Sequence, residues 1–210
     1  MSKTTEIICV LDRSGSMGGL AVEVVNSFNE FIADQRKIPG KAKVTVVLFD
    51  DKYEVVHDRI KLEDVPELTG EVYFTRGMTA LNDAIGKTIQ NVDKKRDKVI
   101  LMIQTDGQEN ASQEYTKSGT IKKMVEEKEK KGWEVMFLGA NIDSFVEGGA
   151  RGIRSSVNYA PTTDGVKFAY QTMSDATRAY RVGEPTMVGG VDVNAQNASD
   201  LVKAINQGEK

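Results

Sequence analysis

Four short segments of the chain are apolar at successive positions: Ile7 to Leu11, Val44 to Phe49, Val99 to Ile103 and Val135 to Leu138. A strand exposed on one side alternates apolar with polar, so unbroken runs of this length fit strands buried on both faces, as in a parallel sheet covered by helices. The segments between them supply the helices. Ala21, Val24, Val25, Phe28, Phe31 and Ile32 recur at helical spacing, as do Leu81, Ala84, Ile85, Ile89 and Val92, and each stripe reads as the core face of a helix. The predicted fold class is α/β: a doubly wound, mostly parallel sheet with helices on both faces.

Val44 to Ile60 departs from this pattern. Two strand-like runs there are separated only by Asp50-Asp51-Lys52, a connection short enough for an antiparallel hairpin but not for a parallel crossover. One antiparallel edge strand is therefore expected. His57, in the alternating segment Glu54 to Asp58, reads as a solvent-facing strand residue. Beyond Leu138 the pattern predicts a short helix near Ser144 to Gly149 and a short strand near Ser155 to Asn158. A final helix then opens at Thr162-Thr163-Asp164, carries Val166, Ala169, Tyr170, Met173, Ala176 and Tyr180 on one face, and ends near Arg181. Residues 4–181 form the expected domain. Residues 182–210, richer in Gly and Asn, read as a tail with a strand over Met187 to Val193 and a short helix from Ser199 to Asn206.

Composition narrows the class of function. The chain has 210 residues, with 28 Lys and Arg against 31 Asp and Glu, a formal charge of −3, and 40% hydrophobic residues. That is the profile of a globular protein with an ordinary core. The richest basic run, Lys122 to Lys131, is broken by Glu126, Glu127 and Glu129, so it fits a solvated helix face and no nucleic-acid partner is expected. No apolar run approaches the ~18 residues of a membrane span, and the first residues do not resemble a signal peptide, so the expectation is a cytoplasmic protein without a membrane partner. Cys9 is the one cysteine and lies in an apolar run, where it reads as a buried small hydrophobe; His57 is the one histidine, which excludes a multi-histidine metal site.

The segment richest in chemistry is Asp12-Arg13-Ser14-Gly15-Ser16-Met17-Gly18-Gly19, which joins the first strand to the first helix. Loops at the carboxyl ends of strands in open α/β sheets face the crevice where ligands bind. Asp12, Ser14 and Ser16 stand at alternate positions and offer hard oxygen donors, suited to Mg²⁺ or Mn²⁺ and unsuited to zinc or copper. Taken singly, each could cap a helix instead. Two later segments add to the set: Gly77-Met78-Thr79-Ala80-Leu81 brings a hydroxyl to the start of the next helix, and Thr105-Asp106-Gly107 brings a carboxylate just past the next parallel strand. Thr79 alone would read as a helix cap and Asp106-Gly107 as a turn; the three segments together, in this order, are harder to attribute to local structure.

In these motifs the chain resembles the von Willebrand factor A family and its metal-ion-dependent adhesion site, with Asp12-x-Ser14-x-Ser16 matching the first motif, Thr79 the second and Asp106 the third. The resemblance covers about residues 4 to 181 and is nearest to small stand-alone intracellular members from bacteria and their phages. It implies a six-stranded sheet with the hairpin at its edge. It also implies that the two serines bind the metal directly, that the aspartates bind directly or through water, and that Thr79 exchanges between these modes. Two carboxylates and three hydroxyls would leave at least one octahedral position for water, which an Asp or Glu of a protein partner could replace.

The expected function is therefore a non-enzymatic, Mg²⁺-dependent (or Mn²⁺-dependent) protein-binding module, with self-association open as one form of partner. A structural or assembly protein using another face is the alternative. A metal-assisted hydrolase is disfavoured: Ser14-Gly15-Ser16 only approximates a nucleophile elbow, no Gly-Lys-Ser/Thr cradle follows, and no lysine near the motif could neutralise a transferring phosphoryl group. The acidic loop Gln108-Glu109-Asn110 beside Asp106 is a further candidate for contact with a partner.

Overall fold

The computed structural model describes residues 4–92 and 98–183, together with the backbone of two short strands further on. The elements run β1 (Thr5–Asp12), α1 (Ala21–Arg36), β2 (Ala42–Phe49), β3 (Tyr53–Lys61), α2 (Leu81–Asn91), β4 (Val99–Thr105), α3 (Ser118–Glu129), β5 (Glu134–Ala140), α4 (Ser144–Ala150), β6 (Ser155–Tyr159) and α5 (Thr163–Val182). Six strands form one sheet in the order β3-β2-β1-β4-β5-β6. All neighbours are parallel except β2 and β3, which pair as the expected antiparallel edge, with Phe49 opposite Tyr53 across the Asp50-Asp51-Lys52 turn.

Every residue of β1 and β4 is buried, and alternate side chains feed two separate cores. Ile7, Cys9 and Leu11 pack with Phe28 and Phe31 of α1 and with Tyr170 and Met173 of α5. Ile8 and Val10 point the other way, toward Leu81 and Ile85 of α2 and Ile121 and Val125 of α3. This division is why the runs Ile7 to Leu11 and Val99 to Ile103 are apolar at every position. Cys9 is fully buried, and burial pushes its thiol pKa far up, as expected of a small hydrophobe. α5 opens with the Thr162 hydroxyl accepting from the Gly165 N–H at 3.1 Å and closes at Gly183, whose φ of 69° suits a left-handed helix end.

Two expectations change. His57 is half-buried rather than solvent-facing, and its Nε2 is buried without a hydrogen-bond partner. It sits opposite Val46, between two register shifts in the β2–β3 ladder, where the bulge breaks the alternation on which the solvent-facing reading relied. The strand expected over Met187 to Val193 is instead two three-residue strands, β7 (Thr186–Val188) and β8 (Val191–Val193), paired antiparallel and apart from the main sheet. Gly189-Gly190 between two strand-forming runs is a hairpin signal that the single-strand reading passed over. The helix expected from Ser199 to Asn206 lies outside the described residues. Among the described residues no helix is long and apolar enough to cross a membrane.

At the amino-terminal end of the sheet the Arg181 guanidinium finishes α1 by donating to the carbonyls of Gln35 (2.6 Å), Ile38 (3.1 Å) and Gly40 (2.9 Å). The Gln35 carbonyl belongs to the last turn of α1 and also accepts from the Ile38 N–H, whereas those of Ile38 and Gly40 belong to the chain just beyond the helix. Arg181→Met is expected to cost about 1–3 kcal/mol in urea unfolding, because it removes this donor from all three carbonyls while keeping most of the apolar stem. A change within about 0.3 kcal/mol would show that this cap is not a support of α1.

Candidate functional site

The chain leaves β1 at Asp12 and enters the helix layer through a 3-10 turn, Gly15–Leu20. Asp12 is fully buried and Ser14 nearly so. One Asp12 carboxylate oxygen accepts from the Ser14 N–H at 2.7 Å, and the other accepts the Thr105 hydroxyl at the end of the neighbouring strand β4. The Ser14 and Ser16 hydroxyls are 3.2 Å apart, and Ser16 Oγ donates to Asp106 Oδ1 at 2.6 Å. Thr79 is buried at the mouth of α2. A Cβ added to Gly107 would lie 3.1 Å from its hydroxyl and 3.7 Å from that of Ser16, so the missing side chain at 107 keeps the space between them open. All five residues singled out in the sequence thus meet at the carboxyl ends of β1 and β4.

The donor set can be compared with the demands of a small divalent cation. Mg²⁺ bonds oxygen at about 2.1 Å in octahedral geometry, which sets neighbouring ligand oxygens about 3 Å apart. The Ser14–Ser16 and Ser16–Asp106 separations of 3.2 and 2.6 Å bracket that spacing. Among the described residues no three His, Cys, Asp or Glu side chains gather as a metal cluster, so a cation here would rest on two carboxylates and on hydroxyls. Burial raises the Asp12 pKa to about 6, against hydrogen bonds from Thr105 and Ser14 that favour the ionised form; burial also raises that of Asp106. The residues fit such an ion.

A surrounding framework holds the three loops in register. The Tyr73 hydroxyl donates to the Asp12 carbonyl, and the Arg13 carbonyl accepts from the Arg76 N–H at 2.8 Å. Arg13 turns its buried guanidinium away from Asp12, to Asp50 at 3.0 Å and Glu54 at 2.6 Å. Arg76 reaches the same Asp50 oxygen at 2.7 Å, and the Asp50 carbonyl accepts the Ala80 N–H next to Thr79. Although burial alone would raise the Asp50 pKa, the bonds from Arg76, the Lys52 N–H and Arg13 hold it below the ordinary carboxylate value. Gly77 makes this fit possible: its φ is +67°, and a Cβ there would meet Asp51 Oδ1 at 2.0 Å.

The Gln108-Glu109-Asn110 loop differs from its expected role. Glu109 accepts from the N–H groups of Asn82, Ala111 and Ser112, all at 2.7 to 2.9 Å, while the Asn110 side-chain Oδ1 accepts from the Thr79 N–H and the Asn110 N–H donates to the Thr79 carbonyl. Nor does Thr79 cap α2: the N-cap is Ala80, and the first free N–H groups are satisfied across space by Glu109 and Ser112. The loop is a brace between the Thr79 and Asp106 segments. Its residues are helix-capping types placed in a distant part of the chain, which spacing along the sequence does not reveal.

A cavity of about 740 Å³ at the opposite end of the sheet is lined by Lys37, Lys98, Arg178 and Arg181. Its innermost cations are spent on helix ends, with Lys98 Nζ donating to the Arg181 carbonyl at 2.8 Å, so it competes poorly with the Asp12 crevice as a functional site.

An open, doubly wound sheet with an acidic, hydroxyl-rich crevice at its carboxyl end defines a class of α/β domains. Residues 6–155 match the profile of the von Willebrand factor type A domain, and the chain belongs to that family. Solved structures agree on the fold. A von Willebrand factor type A protein from Catenulispora acidiphila superposes with a TM-score of 0.60 at 11% identity, over 84% of this chain and 43% of that one. Proximal thread matrix protein 1 from the mussel byssus, with a zinc-occupied MIDAS motif, gives 0.63 at 15% identity over 84% and 46%. The pilus adhesin SpaC from Lactobacillus rhamnosus GG, in an open conformation, gives 0.61 at 16% over 82% and 30%. The chain spans less than half the length of each of these proteins. No curated protein sequence matches it. Domains of this family are in general non-enzymatic interaction modules, and they commonly bind a divalent metal.

The buried charge has a measurable consequence in metal-free buffer. Because the Asp12 pKa is raised from its ordinary 3.8 to about 6, Asp12 holds its proton more tightly folded than unfolded, and its contribution to stability is complete below about pH 4 and is lost as pH rises through about 6. Asp12→Asn should therefore be more stable than wild type at about pH 7.5, by roughly 1–3 kcal/mol. The gap should close toward pH 4.5. Urea unfolding in chelator at both pH values tests this, and a variant that gains nothing at the higher pH contradicts it.

Proposed function

We propose that Asp12, Ser14, Ser16, Thr79 and Asp106 hold Mg²⁺ or Mn²⁺, and that the chain is a non-enzymatic module that captures a protein partner through an Asp or Glu completing the cation's shell. The observation that carries this reading is the Asp12 carboxylate, fully buried and held by hydrogen bonds from Thr105 and Ser14 and not by a cationic side chain among the described residues, beside three further oxygen side chains at ligand-to-ligand spacing. A buried carboxylate without a cationic partner is costly, and a divalent ion would offset that cost. The bound cation would supply fixed positive charge and an exchangeable coordination position. Hard oxygen donors favour Mg²⁺ or Mn²⁺ over zinc, although the mussel byssus protein accepts zinc at its motif.

The enzyme reading gains little support. His57, the one imidazole, lies on the edge hairpin opposite Val46, in the middle of β2 and away from the crevice at the strand ends, and Arg13 and Arg76 are engaged with Asp50. A cytoplasmic setting remains the expectation from the sequence, and a second copy of the chain is one candidate source of the partner carboxylate.

Calorimetric titration should give one Mg²⁺ or Mn²⁺ site in the wild type and none in Asp12→Ala or Asp106→Ala. Titration of those variants like wild type would overturn the assignment. Thr79→Ala removes an oxygen donor but no charge, so it should retain metal with affinity reduced less than tenfold while losing chelator-sensitive partner binding. Equal partner capture by wild type, Thr79→Ala and chelated protein would refute the carboxylate bridge.

A further inference from the structure

Apolar side chains left exposed on this molecule are concentrated around the crevice. Val22, Phe74, Met78, Phe145 and Val146 are 76, 45, 57, 50 and 64% exposed, and among the described residues the other large exposed apolar side chains are Val55, Val72 and Phe168. The five come from three segments, the start of α1, the loop before α2 and the start of α4, all at the carboxyl end of the sheet. Met78 directly precedes Thr79, and Val22 lies in the first turn of α1, just after the Ser14–Ser16 loop. Phe74 lies between Tyr73, which bonds the Asp12 carbonyl, and Thr75, whose hydroxyl would lie 3.5 Å from a Cβ at Gly18.

Phe145 and Val146 lie in the first turn of α4, which follows the carboxyl end of β5, the strand next to the one that delivers Asp106; the helix's first residue, Ser144, donates its N–H to Asn158 of β6 at 2.8 Å. Single exposed apolar residues need no explanation, but a group ringing one polar crevice marks an interaction surface.

Charge around the ring points the same way. Arg76, about one-third exposed, has its guanidinium 5.1 Å from the Phe74 ring but pairs with Asp50 at 2.7 Å, so the call for negative charge at the centre would come from the cation in the crevice. Glu109, the acidic group nearest in sequence to Asp106, is consumed by N–H groups. An occupant must therefore bring negative charge to the centre and apolar surface to the edge.

Building on the carboxylate-bridge reading above, we infer that the partner is a protein segment whose metal-directed Asp or Glu is flanked, within two residues on each side, by large apolar side chains. Met78 and Phe74 would receive one flank and Phe145 and Val146 the other. The carboxylate alone gives binding with little selectivity, since acidic residues are common on surfaces. The apolar collar supplies the discrimination, and neither Met78 nor Phe145 contributes to the cation site.

The test is selection of a random nonapeptide display library on the immobilised full chain in Mg²⁺, with elution by chelator. Enrichment of sequences with an acidic residue between large apolar ones is expected. A synthetic consensus peptide should then bind Met78→Ser and Phe145→Ser about five- to tenfold more weakly than wild type, with unchanged Mg²⁺ titration and circular dichroism. Enriched peptides that are acidic without apolar neighbours, or that bind both variants like wild type, would overturn the inference while leaving the metal bridge standing. Peptides that bind without an acidic residue, or the absence of any chelator-eluted sequence, would instead overturn the bridge itself.

Discussion

The structure is organised around a carboxylate that it buries without neutralising. Asp12 closes the central strand β1 with no exposed surface, and the guanidinium beside it in sequence is turned toward Asp50 and Glu54. Its hydrogen bonds from Thr105 and Ser14 stabilise the ionised form but do not balance its charge, and its pKa remains raised. Such a group survives in a fold when something outside the chain supplies the compensation. The three nearby hydroxyls and Asp106 would direct that compensation toward a small, hard cation.

The remaining polar investment at this end of the sheet serves to fix the loops that carry the oxygen atoms. Asp50 gathers Arg13 from the first loop and Arg76 from the second, while Glu109 and Asn110 tie the second to the third. Each brace is made by residues from the loops or from the edge hairpin, so the parallel sheet sets the positions of the strand ends and the braces set the loops relative to one another. The hairpin thereby acquires a role beyond closing the sheet edge: its turn residue Asp50 bridges two of the three segments. A rigid polar framework under a ring of exposed apolar side chains has the division of labour of a binding surface, with orientation below and contact area above.

Much of this was legible in the sequence because two physical periods are strong there. Runs such as Ile7 to Leu11 are apolar throughout because β1 lies between two cores, and the α1 and α5 stripes pack on one of them. The residues of the crevice were legible for another reason: each oxygen side chain alone could serve as a cap or turn, but three such segments in this order are hard to attribute to local structure. What was not legible depends on contacts between distant residues. The loop around Glu109 read as a candidate for partner contact because one of its N–H partners, that of Asn82 in α2, lies 27 residues away in the chain. His57 read as solvent-facing because the extra residues that β3 carries against β2 on either side of it break the two-residue alternation, and sequence alone does not reveal such bulges. The apolar group was invisible for the same reason, since its members come from three separate segments that reach one end of the sheet only when the strands are ordered.

The central claim is that the Asp12 crevice is a cation site built from oxygen ligands of three loops. Its most direct test is a crystal structure grown with Mn²⁺ and measured at a wavelength where manganese scatters anomalously. The account predicts one strong anomalous peak in the crevice, about 2.1–2.3 Å from the Ser14 and Ser16 hydroxyl oxygens and within direct or one-water reach of Asp12, Thr79 and Asp106. A well-ordered crevice with no anomalous peak at saturating Mn²⁺, or a peak confined to another acidic group such as Asp51 or Glu114, would contradict it.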